Sequence, residues 1–376
     1  MDYLPFTRPT LDETTIELVI STLRSGWLAT GPKVAQFETA LANYLGGQRI
    51  IRSFTSATGA LQIALETIQV NPDQEVITPA MSFAATANVI VRVGAKPVFV
   101  DVNLHSRNLE PETVEKTITP NTRAILPVHF AGLPVNLDAI YQLAKQHDLR
   151  IIEDAAHAIG SCYKGKPVGS FGDLISFSFH PNKNMTTIEG GALSLTSSIE
   201  ANKIDVLRFH GITRDNNGEM DVLLAGGKYN LSDVAASVGL GQLPRLDSFN
   251  FNRRKLAHYY LGRLQGLEHI LLPEQGDEGH SWHMFAPLIN FSQFKTTRQG
   301  FISAMHEKGI GIGVHYPALH LFSAYKQLGY ARGDFPNAEK IGDETVTLPL
   351  FPQMTETDVD RVITALCKTL KIKEPT

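Results

Sequence analysis

Ser178-Phe179-His180-Pro181-Asn182-Lys183-Asn184 is the stretch that decides the fold, because it follows one short apolar run and precedes the pair Gly190-Gly191. A second stretch, Glu153-Asp154-Ala155-Ala156-His157, ends another apolar run. Acidic and basic groups that leave buried strands are typical of the ligand-binding edge of an open α/β sheet, outside the carboxyl ends of its strands. The two stretches therefore predict a site at that edge.

Working outward, further short apolar runs alternate with helical patterns along the first two thirds of the chain. The strand-like runs are residues 49–54, 75–78, 97–101, 124–128, 150–153, 174–179 and 192–195, and amphipathic helices are indicated at 16–23 and 34–45. Strands separated by about 10 to 15 helical residues are typical of βαβ units with a buried parallel sheet. We expect residues 1–245 to form a large α/β domain with a doubly wound, mostly parallel sheet.

The pattern changes from residue 246 onward. A charged helix around residues 253–259 is followed by a strand-like run at 283–291, a helix at 298–308, a strand at 311–315 and a last helix at 356–370. These elements predict a smaller C-terminal α+β domain of residues 246–376. The N-terminal segment of the large domain is a candidate to pack on it.

Composition restricts the classes of partner. The chain has 376 residues, 43% of them hydrophobic and 19% charged, and a net charge of -4. This balance argues against nucleic acid or an anionic membrane as a partner and favours a small molecule. Two distant cysteines, Cys162 and Cys367, predict no disulfide framework and no metal site. This cysteine usage fits a reducing cytoplasm, where we expect the protein. No apolar stretch approaches the roughly 18 residues that span a bilayer, so we expect it to be soluble.

Lys183 and Asp154 are the residues that an enzyme needs to hold pyridoxal 5'-phosphate. The lysine amine carries this cofactor as a Schiff base, and an aspartate keeps the pyridine nitrogen protonated so that the ring accepts electrons. Asp154 ends so apolar a strand that its carboxylate needs a partner, and a helix N-terminus is the alternative to a pyridinium. His157 could reach the phenolic oxygen of the cofactor or be a structural histidine.

Two further stretches could complete such a site. Ser56-Ala57-Thr58-Gly59 follows a strand and opens a helix, so its N–H groups and hydroxyls could hold a phosphate or serve only as a helix cap. Phe83, after the next strand, could lie against the pyridine ring or belong to the core.

Taken together, these motifs resemble the sugar-nucleotide aminotransferases of the DegT/DnrJ/EryC1/StrS family, which have the type I fold of pyridoxal phosphate enzymes. The resemblance covers nearly the whole chain: Ser25-Gly26-Trp27 with Thr30-Gly31-Pro32, Ser56-Ala57-Thr58, Phe83, Glu153 to His157, Phe177 to His180 with Lys183, Glu189-Gly190-Gly191, Arg208 with His210-Gly211, Tyr229-Asn230, Gln242-Leu243, His315-Tyr316 and Leu348-Pro349-Leu350.

The resemblance implies a role for each matching residue. Lys183 would form the Schiff base and move the proton, Asp154 would pair with the pyridine nitrogen, and His157 would lie near the phenolic oxygen, a position that is often glutamine in the family. The other implied cofactor contacts are the ring of Phe83 and the phosphate-binding groups of Ala57 (backbone), Thr58, Ser178 and Asn230. Because the family supplies Asn230 from the neighbouring subunit, it implies a homodimer with shared active sites. Lys228, His315 and Tyr316 are candidate contacts to the nucleotide sugar.

The finer motifs point to a substrate. Residues 226–233, Ser56-Ala57-Thr58 and Gly309-Ile310-Gly311 are most similar to enzymes that aminate C4 of UDP-4-keto-pentose with L-glutamate, giving UDP-4-amino-4-deoxy-L-arabinose and 2-oxoglutarate. Many members have Ser-Gly-Thr and Asn-x-Arg where this chain has Ser56-Ala57-Thr58 and Asn230-Leu231-Ser232. The open alternatives are a C4 or C3 aminotransferase of a 4-keto-6-deoxy-hexose nucleotide, a sugar dehydratase of the same fold, in which histidine replaces the lysine, and a non-catalytic regulator.

Overall fold

The computed structural model describes residues 3–374. Its α-helices are Glu13–Ser25 (α1), Pro32–Tyr44 (α2), Ala57–Thr67 (α3), Ala84–Arg92 (α4), Pro111–Glu115 (α5), Leu137–Gln146 (α6), Ser198–Leu207 (α7), Asp233–Gln242 (α8), Leu246–Leu264 (α9), Arg298–Glu307 (α10), Pro336–Glu344 (α11) and Glu356–Leu370 (α12). Its strands are Ile50–Phe54 (β1), Glu75–Pro79 (β2), Lys96–Val100 (β3), Thr122–Ile125 (β4), Arg150–Asp154 (β5), Cys162–Tyr163 (β6), Lys166–Pro167 (β7), Leu174–Ser178 (β8), Gly191–Leu195 (β9), Ile212–Arg214 (β10), Met220–Val222 (β11), Ile270–Leu271 (β12) and Leu288–Ile289 (β13).

A seven-stranded sheet organises the first half of the chain. Its strand order is β1-β9-β8-β5-β4-β2-β3, and β9 is antiparallel to both of its neighbours, β1 and β8. The remaining pairs, from β8 to β3, are parallel. All seven apolar runs singled out in the sequence are strands of this sheet. The predicted fold class, a mostly parallel α/β sheet of the type I arrangement, is confirmed.

Side chains point alternately to the two faces of the sheet along each strand, and helices cover both faces. In β8, Leu174 packs in a cluster with α3, α4 and α7, whereas Ile175 and Phe177 pack on the opposite face against α2 and α8. On that second face, α5 and α6 cover β2, β4 and β5. Because neighbouring residues of a strand point to opposite faces, a continuous apolar run buries both of them.

The C-terminal part has its own core. Leu256 and Tyr260 of α9 pack with α10, α12 and the segment around Phe285, and Leu4 of the N-terminal segment joins this cluster through a bridge to Ile310. The first residue of α9, Leu246, packs instead with the large sheet. One helix thus contacts both cores, and the domain boundary near residue 246 stays a prediction.

Two sequence predictions in this part are wrong. Residues 311–315 do not form a strand, and only Gly313 makes a bridge, to Thr347. Within residues 283–291 only Leu288–Ile289 is a strand. Glycines at 311 and 313 weaken strand pairing, and Pro287 cannot donate to a ladder, so these apolar runs are buried without becoming regular strands.

Candidate active site

A cavity of about 330 Å³ opens at the carboxyl edge of the sheet. Its walls come from the residues that follow β1, β2, β5 and β8, because the carboxyl ends of these strands meet at one edge. The lining residues are Ser56, Ala57, Thr58, Leu61, Ser82, Phe83, Ala85, Val128, Asp154, Ala156, His157, Ser178, His180, Asn182, Lys183, Glu189, Gly190, His315 and Tyr316. Nine of the eleven residues predicted to bind the cofactor or the substrate are among them: Ala57, Thr58, Phe83, Asp154, His157, Ser178, Lys183, His315 and Tyr316.

Asp154 is the last residue of β5 and is only 5% exposed. Its Oδ2 accepts a hydrogen bond from the hydroxyl of Thr86 at 2.8 Å, and its Oδ1 accepts one from the N–H of Ala156 at 3.1 Å. Burial raises the pKa of this carboxyl, while these two hydrogen bonds and the nearby Lys183 act in the opposite direction. No helix begins here, because residues 156–157 form a turn, so a helix N-terminus does not pair with Asp154.

Lys183 projects into the cavity from a turn in which its N–H bonds to the carbonyl of His180 at 2.8 Å. Burial lowers the pKa of its amine to about 8, and the carboxylate of Asp154 partly opposes this shift. A lysine with a pKa near neutrality has a substantial neutral fraction, as a nucleophile or a proton carrier requires.

His157 is part of the cavity wall and lies in a turn, not on a helix. Its Nδ1 accepts from the N–H of Ala131 at 3.3 Å, so in the neutral ring the proton lies on Nε2, which is 3.2 Å from the hydroxyl of Tyr316. Burial, and then the charge of Lys183, hold the pKa of this imidazole well below its usual range. His157 is thus a neutral hydrogen-bonding group directed at the cavity.

The N-terminus of α3 is the anion-binding end of the cavity. Ser56 caps the helix, since its hydroxyl accepts from the N–H of Gly59 at 3.1 Å and its carbonyl from that of Ala60 at 3.1 Å. The N–H groups of Ala57 and Thr58 have no acceptor within the helix and, with the positive end of the helix dipole, favour a phosphate. The helix-cap and phosphate interpretations of this stretch are therefore compatible.

The glycine pair after Lys183 explains how β9 approaches this end so closely. A Cβ atom at Gly191 would lie 2.4 Å from the backbone nitrogen of Ala57, and one at Gly190 would lie 2.0 Å from the hydroxyl of Thr187. Such distances are too short for carbon contacts, so side chains at these positions would displace the helix N-terminus or the turn.

Aromatic groups line the opposite side of the cavity. Phe83 is 57% exposed, so it is not a core residue, and its ring centroid lies 5.7 Å from that of Tyr316. His315 is held by a 2.7 Å hydrogen bond between its Nδ1 and the hydroxyl of Thr347. Burial lowers the pKa of His315 to about 4, with a smaller effect of Lys183. These rings offer flat apolar faces and neutral polar edges.

Asn230 and Lys228 are the two predicted site residues that lie outside this cavity. The ammonium of Lys228 donates to Asn230 and lies 5.1 Å from the ring centroid of Phe209, and the amide of Asn230 donates to Thr30. The family resemblance implies that Asn230 binds the cofactor phosphate in the neighbouring subunit. The structure describes a single chain, so this role stays a prediction.

Sequence reasoning missed two residues that matter for the site. Thr86 lies in the first turn of α4 and bonds Asp154, a contact that the Ser82–Thr86 stretch suggests only once the strand order is known. Asn184 directly follows Lys183 but turns its amide away from the cavity, to Asn250 and His283. No local sequence pattern indicates this second network.

The donor set fits pyridoxal 5'-phosphate. A buried carboxylate suits a pyridinium N–H, an amine of lowered pKa suits an aldehyde, and a helix N-terminus with the hydroxyls of Thr58 and Ser178 suits a phosphate. The exposed face of Phe83 suits a planar ring.

Comparison with known proteins gives a consistent answer. The profile of the DegT/DnrJ/EryC1/StrS aminotransferase family matches residues 9–367. The chain is 39% identical to the spore coat polysaccharide biosynthesis protein SpsC of Bacillus subtilis, over 97% of this chain and 96% of SpsC.

Solved structures show the same likeness. The structure is similar to that of Helicobacter pylori PseC, an aminotransferase involved in the biosynthesis of pseudoaminic acid, with a TM-score of 0.93, 28% identity and coverage of 98% of this chain and 100% of PseC. It is also similar to the PLP form of Spr1654 from Streptococcus pneumoniae, provisionally assigned as a sugar aminotransferase, with a TM-score of 0.90, 32% identity and coverage of 98% and 99%. No helix within residues 3–374 has the length and apolarity to cross a bilayer.

Proposed function

This chain belongs to the DegT/DnrJ/EryC1/StrS aminotransferase family, and on that premise we propose that it moves an amino group from L-glutamate to the C4 ketone of a nucleotide-linked 4-keto sugar. The enzyme class, a sugar aminotransferase that depends on pyridoxal 5'-phosphate, and the cofactor are as the sequence predicted. The proposed substrate is UDP-4-keto-pentose and the proposed product UDP-4-amino-4-deoxy-L-arabinose. The motif of residues 226–233, with Ser56-Ala57-Thr58 and Gly309-Ile310-Gly311, supports this substrate.

One observation carries the proposal: Lys183, Asp154 and the N-terminus of α3 line a single cavity. When bound there, pyridoxal 5'-phosphate supplies an aldehyde that accepts amines and a ring that accepts electrons. Lys183, with a pKa of about 8, would supply its neutral amine to that aldehyde and, once released, carry a proton between the substrate carbon and the cofactor. Asp154 would accept the ring N–H and hold its proton.

Other residues would hold the cofactor and the sugar in place without taking part in the reaction. Phe83 would cover one face of the ring, and Ala57, Thr58 and Ser178 would hold the phosphate. His157 would donate from Nε2 toward the phenolic oxygen, since the N–H of Ala131 already occupies Nδ1. His315 and Tyr316 would contact the sugar, because both line the cavity and the ring of Tyr316 lies 5.7 Å from that of Phe83.

A second copy of the chain would complete the site. Among the cavity-lining residues of the described chain there is no arginine, and Lys183 is the only lysine, although both proposed substrates are anions. Lys228 lies 5.1 Å from the ring centroid of Phe209, an apolar side chain that is 42% exposed, and its ammonium donates to Asn230. We therefore propose a homodimer in which each subunit gives Lys228 and Asn230 to its partner's site.

A complementation experiment tests the shared site. Lys183→Ala and Asn230→Ala are each expected to be inactive or weak, but mixed subunits should recover about a quarter of the wild-type activity, since half of the randomly formed two-fold dimers contain one intact site. If mixing restores nothing while the dimer re-forms, Asn230 acts within its own subunit.

The substrate is tested with a panel of UDP-, dTDP- and GDP-linked 4-keto sugars, with L-glutamate as donor and mass spectrometry as the readout. Amination of the UDP-4-keto-pentose is expected. Lys183→Ala should lose both turnover and the visible absorbance of the lysine-bound cofactor, whereas Lys255→Ala, at an exposed lysine paired with Glu356, should retain both. Product from a 6-deoxy-hexose alone would replace the proposed substrate.

That outcome corresponds to the second candidate, amination at C4 or C3 of a 4-keto-6-deoxy-hexose nucleotide. The resemblance supports it, because related enzymes that aminate C4 of 4-keto-6-deoxy-hexose nucleotides share several features of residues 226–233, 56–58 and 309–311. A dehydratase is disfavoured, because this chain has a lysine where those relatives have histidine. A non-catalytic regulator is disfavoured because Lys183, Asp154 and Ser178 all line the cavity. A cytoplasmic location stays part of the proposal.

A further inference from the structure

We propose that Asn184 is a positioning residue for amino transfer: its side chain fixes the turn that carries Lys183 and, through His283, the ring plane of His157. Asn184 is 3% exposed and directly follows the lysine. The inference rests on the proposed roles of Lys183 and His157.

The amide of Asn184 is satisfied on both sides. Its Nδ2 donates to Oδ1 of Asn250 at 2.7 Å and to the carbonyl of Ser281 at 3.1 Å. Its Oδ1 lies 3.1 Å from Nδ1 of His283. All three partners belong to the part of the chain after residue 245, so the lysine turn is anchored to α9 and to the segment that follows it.

These contacts determine where the protons lie. Because Asn184 donates through both N–H groups, its oxygen is the acceptor, and His283 must carry its proton on Nδ1. The orientation of Asn250 agrees, since its own Nδ2 donates to the carbonyl of Ile159 at 3.2 Å and leaves its oxygen for Asn184. Burial, and then the charges of His157 and Lys183, hold the pKa of His283 well below its usual range, so the ring is neutral.

The position of His283 determines the orientation of the His157 ring. The two rings pack against each other, with centroids 4.5 Å apart and planes tilted by 30°. Ala131 joins them as well, because its N–H donates to Nδ1 of His157 at 3.3 Å and its carbonyl accepts from the N–H of His283 at 2.8 Å. Displacing His283 would therefore tilt His157 and redirect its Nε2 in the cavity.

A neutral amide at position 184 also suits the charge of the site. The groups that face this region are the amine of Lys183, the carboxyl of Asp154, the imidazoles of His157, His283 and His315, and the guanidinium of Arg253, which donates to the carbonyl of His283 at 3.0 Å. A carboxylate at 184 would stabilise a proton on His283 and the charged form of Lys183. An amide anchors the turn without that effect.

The test compares Asn184→Leu and Asn184→Asp with a control, Asn337→Leu, whose amide donates to the carbonyl of Val102 at 2.8 Å, outside the cavity. Nitrogen-15 NMR of histidine-labelled, cofactor-free protein reads the tautomers, with His283→Gln used to assign the His283 signals. The wild type should show His283 protonated at Nδ1 and His157 at Nε2. Asn184→Leu should lose this pattern and lower kcat about tenfold or more, as expected when a reacting group is displaced by about 1 Å.

The aspartate variant is nearly isosteric and keeps the experiment decisive if the leucine variant does not fold. It should raise the pH at which the visible absorbance of the lysine-bound cofactor titrates, while the control leaves that pH and the tautomers unchanged. An unaltered titration and unaltered tautomers in the Asn184 variants, with only a loss of stability like that of the control, would show a merely structural residue. Because the tautomers are read without cofactor or substrate, this failure is distinguishable from a failure of the proposed reaction.

Discussion

Thr86 donates its hydroxyl to the Oδ2 atom of Asp154 at 2.8 Å, and its oxygen lies 2.8 Å from the hydroxyl of Ser82. Because the hydroxyl proton of Thr86 is committed to the carboxylate, Ser82 must donate to Thr86. A short chain of hydroxyls thus supports the buried carboxylate at the end of β5 and lowers its pKa against the effect of burial. The aspartate is held ready for a pyridinium partner without a second charged side chain bonded to it.

Thr86→Val should weaken cofactor binding, and more so at acidic pH, because losing this hydrogen bond raises the pKa of Asp154 further. We expect a loss of about 1 to 3 kcal/mol for the unsatisfied carboxylate. The matched control is Thr78→Val, at a buried threonine that donates to the carbonyl of Leu126 at 3.0 Å. The test is to measure the dissociation constant of the cofactor for both variants at pH 6 and at pH 8. Equal constants for the two variants would contradict this role of Thr86.

Lys183→Met should stabilise the cofactor-free protein at neutral pH. The folded pKa of Lys183 is about 8, below its ordinary value near 10.4, so the unfolded chain binds the proton more tightly. The destabilisation is therefore fully present below about pH 8 and disappears as the pH rises past about 10.5. Denaturant unfolding should show a gain on the order of 3 kcal/mol at pH 7 that shrinks toward pH 10. A gain independent of pH would mean that the amine is not the cause.

His157→Gln should keep most of the activity, because a glutamine amide can accept from the N–H of Ala131 and donate into the cavity. His157→Leu should lose about tenfold or more, because leucine can do neither. The pKa of His157 lies well below its usual range, so this residue does not titrate near neutrality. The dependence of kcat/KM on pH between 6 and 9 should accordingly be the same in wild type and His157→Gln. A titration that disappears in the glutamine variant would show that His157 changes its charge.

Gly191→Ala should lower cofactor affinity and stability, since the new methyl group would lie 2.4 Å from the backbone nitrogen of Ala57 and displace the N-terminus of α3. Gly262→Ala provides the contrast: it lies in α9 with nothing near its added Cβ, and it should stabilise the protein by about 1 kcal/mol through helix propensity. Thermal unfolding measures the stability of both variants, and cofactor titration measures their affinity for the cofactor. Unchanged cofactor affinity in Gly191→Ala would refute the close packing of β9 on this helix end.

Much of the site followed from local sequence. The strands that end near Phe54, Asp154 and Ser178 were predicted from apolar runs, and parallel strands bring their carboxyl ends to one edge, so Lys183 and Asp154 were expected to meet. Periodicity alone does not assign Phe83, because it does not distinguish a core ring from one that lines a cavity; only the family resemblance implies its contact with the cofactor.

The sequence by itself determined the α/β layer, the last helix at residues 356–370 and the pairing of a lysine with an aspartate, because short-range periodicity and strand direction specify these features. Only the tertiary structure decided that Asn184 bonds His283, that the ring of His283 packs against that of His157 and that Tyr316 reaches the same imidazole. These contacts join residues that are far apart in the chain. They depend on how the two cores pack around the cavity, and no local pattern encodes that geometry.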